Sequence, residues 1–245
     1  MIGKRFAAAF VVGLAGLLAP GLAAAQAPIA TAVQVIPATR SELGGAAVTI
    51  LTGAELFVGQ RIETDINGEV QIIFADQTRM VIGPNSALII ETYLMQNPTT
   101  LGEFTVNALG GSFRFITGNG PSDAYRINTP TGAITVRGTE FDFIIDWLTG
   151  ALQVFLFEGS VILCPTEGPC VTISDECQAG EMARTDLAAV IEGATDLLDI
   201  LGAFPMVFDQ AGFLAAFQLT TADRCVDEIR DAARELTRPR PISPA

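Results

Sequence analysis

The chain of 245 residues contains no histidine. That one absence excludes imidazole general bases, Ser-His and Cys-His pairs, and His-ligated zinc. Basic residues are scarce, with 14 Lys and Arg against 27 Asp and Glu and a formal charge of −13. Lys4 is the only lysine. It lies beside Arg5 at the N-terminus, so the rest of the chain is more acidic still. Such a surface repels phosphate backbones and anionic headgroups, which argues against nucleic acid as a partner and disfavours membrane surfaces. After residue 25 no run reaches the roughly 20 apolar residues that span a bilayer. For catalysis only carboxylates, Tyr93, Tyr125 and Arg remain, so the sequence reads as non-enzymatic. Gly118-Asn119-Gly120 lacks the Lys and the following helix of a phosphate loop. No cofactor is called for.

Lys4-Arg5, the apolar run 6–18, Pro20-Gly21 and Ala23-Ala24-Ala25 form a basic, apolar and small-residue sequence of the secretory type. Cleavage between Ala25 and Gln26 releases a chain with no stable membrane insertion, and the periplasm is its expected location. If the segment stays uncleaved, it anchors the same chain in the inner membrane. Only five residues precede the apolar run, which leaves no room there for a cytoplasmic domain. The four cysteines, Cys164, Cys170, Cys177 and Cys225, read as disulfides in an exported protein. Cys164 and Cys170 flank a Pro-Thr-Glu-Gly-Pro turn, so they pair across a hairpin and leave Cys177 for Cys225. A metal site is disfavoured because no C-x-x-C pair occurs.

Residues 26–32 read as a flexible lead. From Val33 to Arg184 short apolar runs recur with turn signals between them. In Arg126–Phe143, Thr129-Pro130-Thr131-Gly132 supplies a turn. Thr139, Phe141, Phe143 and Ile145 then share one strand face, with Glu140, Asp142 and Asp146 on the other. Gly138 interrupts this run and marks a bulge or a close backbone approach. Asn67-Gly68 fits a two-residue hairpin turn. The expected fold is mainly β, rolled, sandwich-like or β-helix-like, over residues 33–184. A helical region follows over 185–237. Asp186 caps a helix whose apolar stripe runs from Leu187 to Leu201. A short helix spans Gln210–Leu219, and another spans Ala222–Leu236. Phe204, Phe208, Phe213 and Phe217 read as core. The tail 238–245 is Pro-rich and expected to be disordered.

Four ordered blocks carry a family resemblance. They are Asp76–Ser86 (with Asp76, Thr78, Gly83, Pro84, Asn85 and Ser86), Gly110–Phe115, Thr129–Gly132 (with Thr129 and Pro130) and Val136–Phe141 (with Arg137, Gly138, Thr139 and Phe141), followed by the run Val154–Val161 with Glu158-Gly159 and the closing Gln178–Glu181. Together they make residues 33–184 resemble the FecR-like periplasmic domain family. The resemblance implies an all-β module outside the inner membrane that receives a signal from an outer-membrane transporter. In the family an attached cytoplasmic segment then acts on a sigma factor. Many members carry Gly where this chain has Gln77. Gln disfavours φ > 0, so a different turn type or a longer connection is expected there.

Glu140, Asp142 and Asp146 are candidate Ca²⁺ ligands, but one strand supplies too few oxygens, and a solvated polar face is the simpler reading. Arg126 and Arg137 are candidates for an anion, with ion pairing of Arg to Glu140 or Glu158 the simpler reading. The stripe 187–201 carries only acidic charges, so packing against the β domain is expected over a membrane role. The sequence therefore points to an exported interaction, sensing or signal-relay module with an unidentified envelope protein as partner. An envelope glycan or small-anion binding protein is the alternative. A membrane-anchored regulator of a sigma-factor pathway ranks below both.

Overall fold

Apolar residues at every second position place one face of most strands in a common core, and the strands join in a single sheet. The computed structural model describes residues 26–37, 39–97 and 100–237. The expected signal segment 1–25 and the expected disordered tail 238–245 lie outside the described residues. The first strands are β1 (Ala30–Ile36), β2 (Thr39–Leu43), β3 (Ala46–Val48), β4 (Ala54–Leu56) and β5 (Arg61–Thr64). Next come β6 (Glu69–Phe74), β7 (Arg79–Ile82), β8 (Ala87–Asn97), β9 (Thr100–Ile116) and β10 (Tyr125–Thr129). The last are β11 (Gly132–Ile145), β12 (Leu152–Pro165), β13 (Val171–Ile173), β14 (Ala179–Arg184) and β15 (Leu187–Ile191). The main order is β15-β14-β12-β11-β10-β9-β7-β6-β1-β4, with β8, β5, β2 and β3 branching from β9 and β13 from β12. Neighbours are antiparallel except β9 and β10.

The long strands fold back on themselves. β11 has 14 residues and would span about 45 Å if straight. Yet Thr131 Oγ1, just before it, donates to Gly150 O, just after it, at 3.2 Å. The corner lies at Gly138 and Gly159, which take φ 60 and 84. The β11–β12 register shifts there. A Cβ at Gly159 would run into Gly138 O, whereas one at Gly138 would meet open space. Gly138 is thus needed for its backbone conformation, and Gly159 for both conformation and close approach. The curled sheet encloses Ile72, Phe74, Ile82, Phe104, Phe113, Phe115, Phe141, Phe143, Val154 and Leu156 in one core.

The outer face also carries apolar residues, among them Val81, Ile116, Phe155 and Phe157, and the C-terminal segment covers them. That segment comprises α1 (Ala194–Leu201), α2 (Pro205–Phe208), a 3₁₀ turn at Ala215–Phe217 and α3 (Thr220–Thr237). Two disulfides have the pairing expected from spacing, Cys164–Cys170 and Cys177–Cys225. The second ties the β unit to α3.

Several local expectations are corrected. Residues 187–191 form β15 on β14, and helix begins only at Ala194. Asp186 sits in the preceding turn and pairs with Arg184, because the open edge of β14 offers these residues a hydrogen-bonding partner that local propensity does not see. β1 starts at Ala30, where Ala30 and Ala32 are small enough to enter the core. Asn67-Gly68 does not form a hairpin turn. Gly68 N–H donates to Asp65 O and Asn67 N–H to Asp65 Oδ1, so the turn sits earlier and connects strands that do not pair. Residues 210–214 are not helical, and Phe208 is 55% exposed while Phe204, Phe213 and Phe217 are buried.

Candidate functional site

Three turns meet at one end of the sheet. Gly83–Ser86 follows β7, Asp146–Gly150 joins β11 to β12, and Thr129–Gly132 joins β10 to β11. Ser86 N–H donates to Thr64 Oγ1 at 2.9 Å, and Ser112 N–H donates to Ser86 Oγ at 2.9 Å, which locks the first turn between two strands. Trp147 crosses from the second turn to the first. Its Nε1–H donates to Asn85 O at 2.9 Å, and its ring lies against Gly110, where a Cβ would collide with it. The third turn reaches the second through the Thr131–Gly150 hydrogen bond and contact between Pro130 and Gly150. Asp146 Oδ1 accepts from Leu148 N–H at 3.0 Å and from Thr149 N–H and Oγ1 at 2.8 Å. The bonds from Thr149 and then Leu148 hold its carboxyl below the usual range. This turn is therefore rigid, although Trp147 and Leu148 point into solvent.

The remaining motif residues gather around the corner of the sheet. Asp76 is 3% exposed. Its carboxylate accepts from Tyr93 OH at 3.0 Å, Tyr125 OH at 2.8 Å and Thr78 Oγ1 at 2.6 Å. Tyr93 and Tyr125 are the only tyrosines in the chain, and both serve this one carboxylate. Burial, together with the neighbouring Asp76, pushes the Tyr125 phenol up to about 12 and raises Tyr93 as well. Gln77 has φ 70, against the expectation of a different turn. The loop keeps the left-handed residue that a three-residue hairpin requires, with Gln77 N–H donating to Phe74 O and Phe74 N–H to Thr78 O. Close by, a cleft of about 230 Å³ is lined by Arg79, Gly118, Thr139, Glu140 and Glu158. Glu140 and Glu158 oppose each other across β11–β12. Burial first, then Glu158, raises the Glu140 carboxyl.

On the outer face Asp142 is not solvated. It is 2% exposed and forms a bidentate pair with the fully buried Arg114, at 2.7 and 2.8 Å. Arg114 also donates to Gln210 Oε1 at 2.7 Å, Met206 O at 3.0 Å and Phe217 O at 3.1 Å. Phe213 and Phe157 flank the guanidinium at 5.2 and 5.7 Å. Burial pushes the Asp142 carboxyl up, and Arg114 opposes that. Gln71 and Arg79 extend the latch. Gln71 Oε1 accepts from Leu214 N–H at 3.0 Å, and Arg79 donates to Ala216 O at 2.6 Å. These side chains satisfy the backbone of residues 206–217, which explains why part of that stretch needs no helical hydrogen bonds.

Residues 60–162 match the family model described as FecR protein. Over that stretch the β unit is similar to the FecR family. Two crystal structures of a candidate anti-sigma factor from Parabacteroides distasonis ATCC 8503 are similar, each with a TM-score of 0.45. Identities are 13% and 12%, each covers 58% of this chain, and this chain spans 63% and 62% of theirs, under two thirds. The comparison with curated proteins finds no match.

Within the β unit the expected site residues separate into two groups. Gly83, Pro84, Asn85, Ser86, Thr129 and Pro130 lie at the Trp147 end. Asp76, Thr78, Gly138, Thr139, Glu158 and Gly159 lie at the corner, and Phe141 is core. Glu140, Asp142 and Asp146 are not brought together, and among the described residues no group of three or more acidic or Cys side chains could hold a metal. Arg126 and Arg137 form no ion pair among the described residues. The bulge at Gly138 sets Arg137 opposite Ser160, while Arg126 Nε donates to Asn128 Oδ1. Trp147 and Arg114 went unrecognised in the sequence. The single Trp beside an Asp-initiated turn was an available signal for the first. Arg114 within a strand of Phe residues was one for the second.

Proposed function

We propose that this chain is an exported, non-enzymatic FecR-like module that acts by binding another envelope protein, either to sense or to relay a signal. The convergence of two family blocks on the rigid Trp147 turn carries this reading. An ordered loop end built on a stiff scaffold is where recognition residues concentrate. Two disulfides favour an oxidising compartment, and residues 1–25 would direct the chain to the periplasm and be cleaved there. Among the described residues no helix is long and apolar enough to cross a membrane. In-envelope crosslinking of the full chain followed by mass spectrometry should recover a specific protein. Recovery of only polysaccharide, or of nothing, would overturn the reading.

One observation favours a second reading, the binding of an envelope glycan or small anion. Glu91, Asn107, Asn128 and Arg126 form a hydrogen-bonded ladder across β8, β9 and β10, with links of 2.7, 2.9 and 2.8 Å. Arg137 is exposed and lies on the same face as Arg126, by register. This reading predicts a thermal shift with an anionic saccharide panel that Arg137→Ala abolishes. An unchanged melting curve across the panel counts against it.

A further inference from the structure

Resting on the interaction-module reading, we infer that the tips Ile66, Trp147 and Leu148 form a docking surface for a protein that presents an apolar pocket rimmed by Lys or Arg. Leu148 is 96% exposed, Ile66 76% and Trp147 47%. One exposed leucine is ordinary. Here three large apolar residues from two turns stand at the same end, since Asp65 and Trp147 line one shallow cleft of about 220 Å³. The turns are already ordered. Asp146 clamps Leu148 and Thr149, Asn85 O holds the indole, and Asn85 N–H donates to Asp65 O at 2.8 Å. Little conformational entropy remains to be lost on binding, which suits a preorganised anchor. A half-buried Trp with its N–H satisfied is also the residue type that most often dominates interface energy.

Charge decides among occupants. Asp65 and Asp146 flank the tips, and among the described residues neither has an ion pair. In the same cleft Glu63 is already met by Arg61, and Arg40, which also lines it, has no ion pair among the described residues. Asp65 and Asp146 outnumber Arg40, so the net free charge at the rim is negative, on a chain of −13. A second copy would bring like charge onto like charge, and an anionic lipid surface would do the same. A basic-rimmed protein pocket complements both the apolar centre and the acidic rim.

The test places a photo-crosslinking benzoylphenylalanine at position 148, and separately at 66, in the full chain expressed in its own cell envelope. Positions 94 and 187, also exposed, serve as controls elsewhere on the sheet. The expected result is one protein adduct from both 66 and 148, mapping to an apolar stretch flanked by Lys or Arg. Its yield should fall about tenfold when Leu148→Asp is added to the position-66 probe, and should also fall at high salt. Leu148→Asp does not threaten the fold, because the side chain has almost no contacts. Lipid adducts or self-adducts from 66 and 148 overturn the inference. A partner captured only from 94 or 187 overturns it too, while leaving the interaction-module reading intact. No adduct from any position overturns both.

Discussion

Replacing Arg114 with Met tests whether the C-terminal segment is held by a buried charge. Arg114 is fully buried and makes five hydrogen bonds, two to Asp142 and one each to Gln210, Met206 and Phe217. Met keeps much of the apolar volume but leaves Asp142 without a counter-charge. Breaking one side of a buried pair costs about 3–5 kcal/mol. Two carbonyls, Met206 O and Phe217 O, also lose their donor, at about 1–3 kcal/mol each if water cannot reach them. Stability in this size range is about 5–15 kcal/mol, so the loss is a large fraction of the whole. The broken pair alone should lower the melting temperature by about 6–20 °C, and any stranded carbonyl adds to that. Hydrogen exchange should rise first at residues 203–219, with the core strands still protected, because the Cys177–Cys225 bond keeps α3 tethered. Arg114→Met with Asp142→Leu should regain much of the loss, since an apolar pair leaves no buried charge. A loss below about 1 kcal/mol for the single variant, or exchange that rises equally across the sheet, would refute the latch.

Three further outcomes are expected. Gly159→Ala should be far more damaging than Gly138→Ala, because only the former adds a collision to the strain of positive φ; Gly138→Ala should cost about 1–2 kcal/mol in urea unfolding, and equal effects would contradict the corner geometry. Gln77→Gly should stabilise by about 0.5–1 kcal/mol, relief of left-handed strain exceeding the added chain entropy; a destabilised variant would show that Gln77 is not strained. The Glu140 pKa is raised, so its favourable contribution is present below the unfolded value of about 4.3 and is lost as pH rises through the folded one. Glu140→Gln should therefore raise the melting temperature at pH 7, with the gain shrinking to nothing near pH 4. A gain that grows on acidification would reverse the sign and sink the argument.

Much of the β unit was legible because its signals are local. Phe141, Phe143 and Ile145 alternate with polar residues and enter the core as their period requires. Gly138 announced a bulge. The Cys164–Cys170 pair follows from six residues of separation across a hairpin. Asp142 was misplaced because alternation assigns a residue to a face without saying what covers that face. Its cover comes from Met206, Gln210 and Phe217, and the arginine that joins them is 92 to 103 residues away from those groups.

By itself, the sequence determined the mainly β fold, the oxidising chemistry of its cysteines, the acidic surface and the absence of imidazole chemistry. Each depends on composition or on neighbours in the chain. The tertiary structure decided that Leu187–Ile191 is a strand, that residues 206–217 seal the outer face over Arg114, and that Trp147 joins the Asn85 turn to Gly110 at one end. Those outcomes depend on hydrogen-bonding partners and apolar surface that exist only once distant strands have curled together. The free edge of β14, the buried guanidinium and the closed corner at Gly138 and Gly159 are products of that curling.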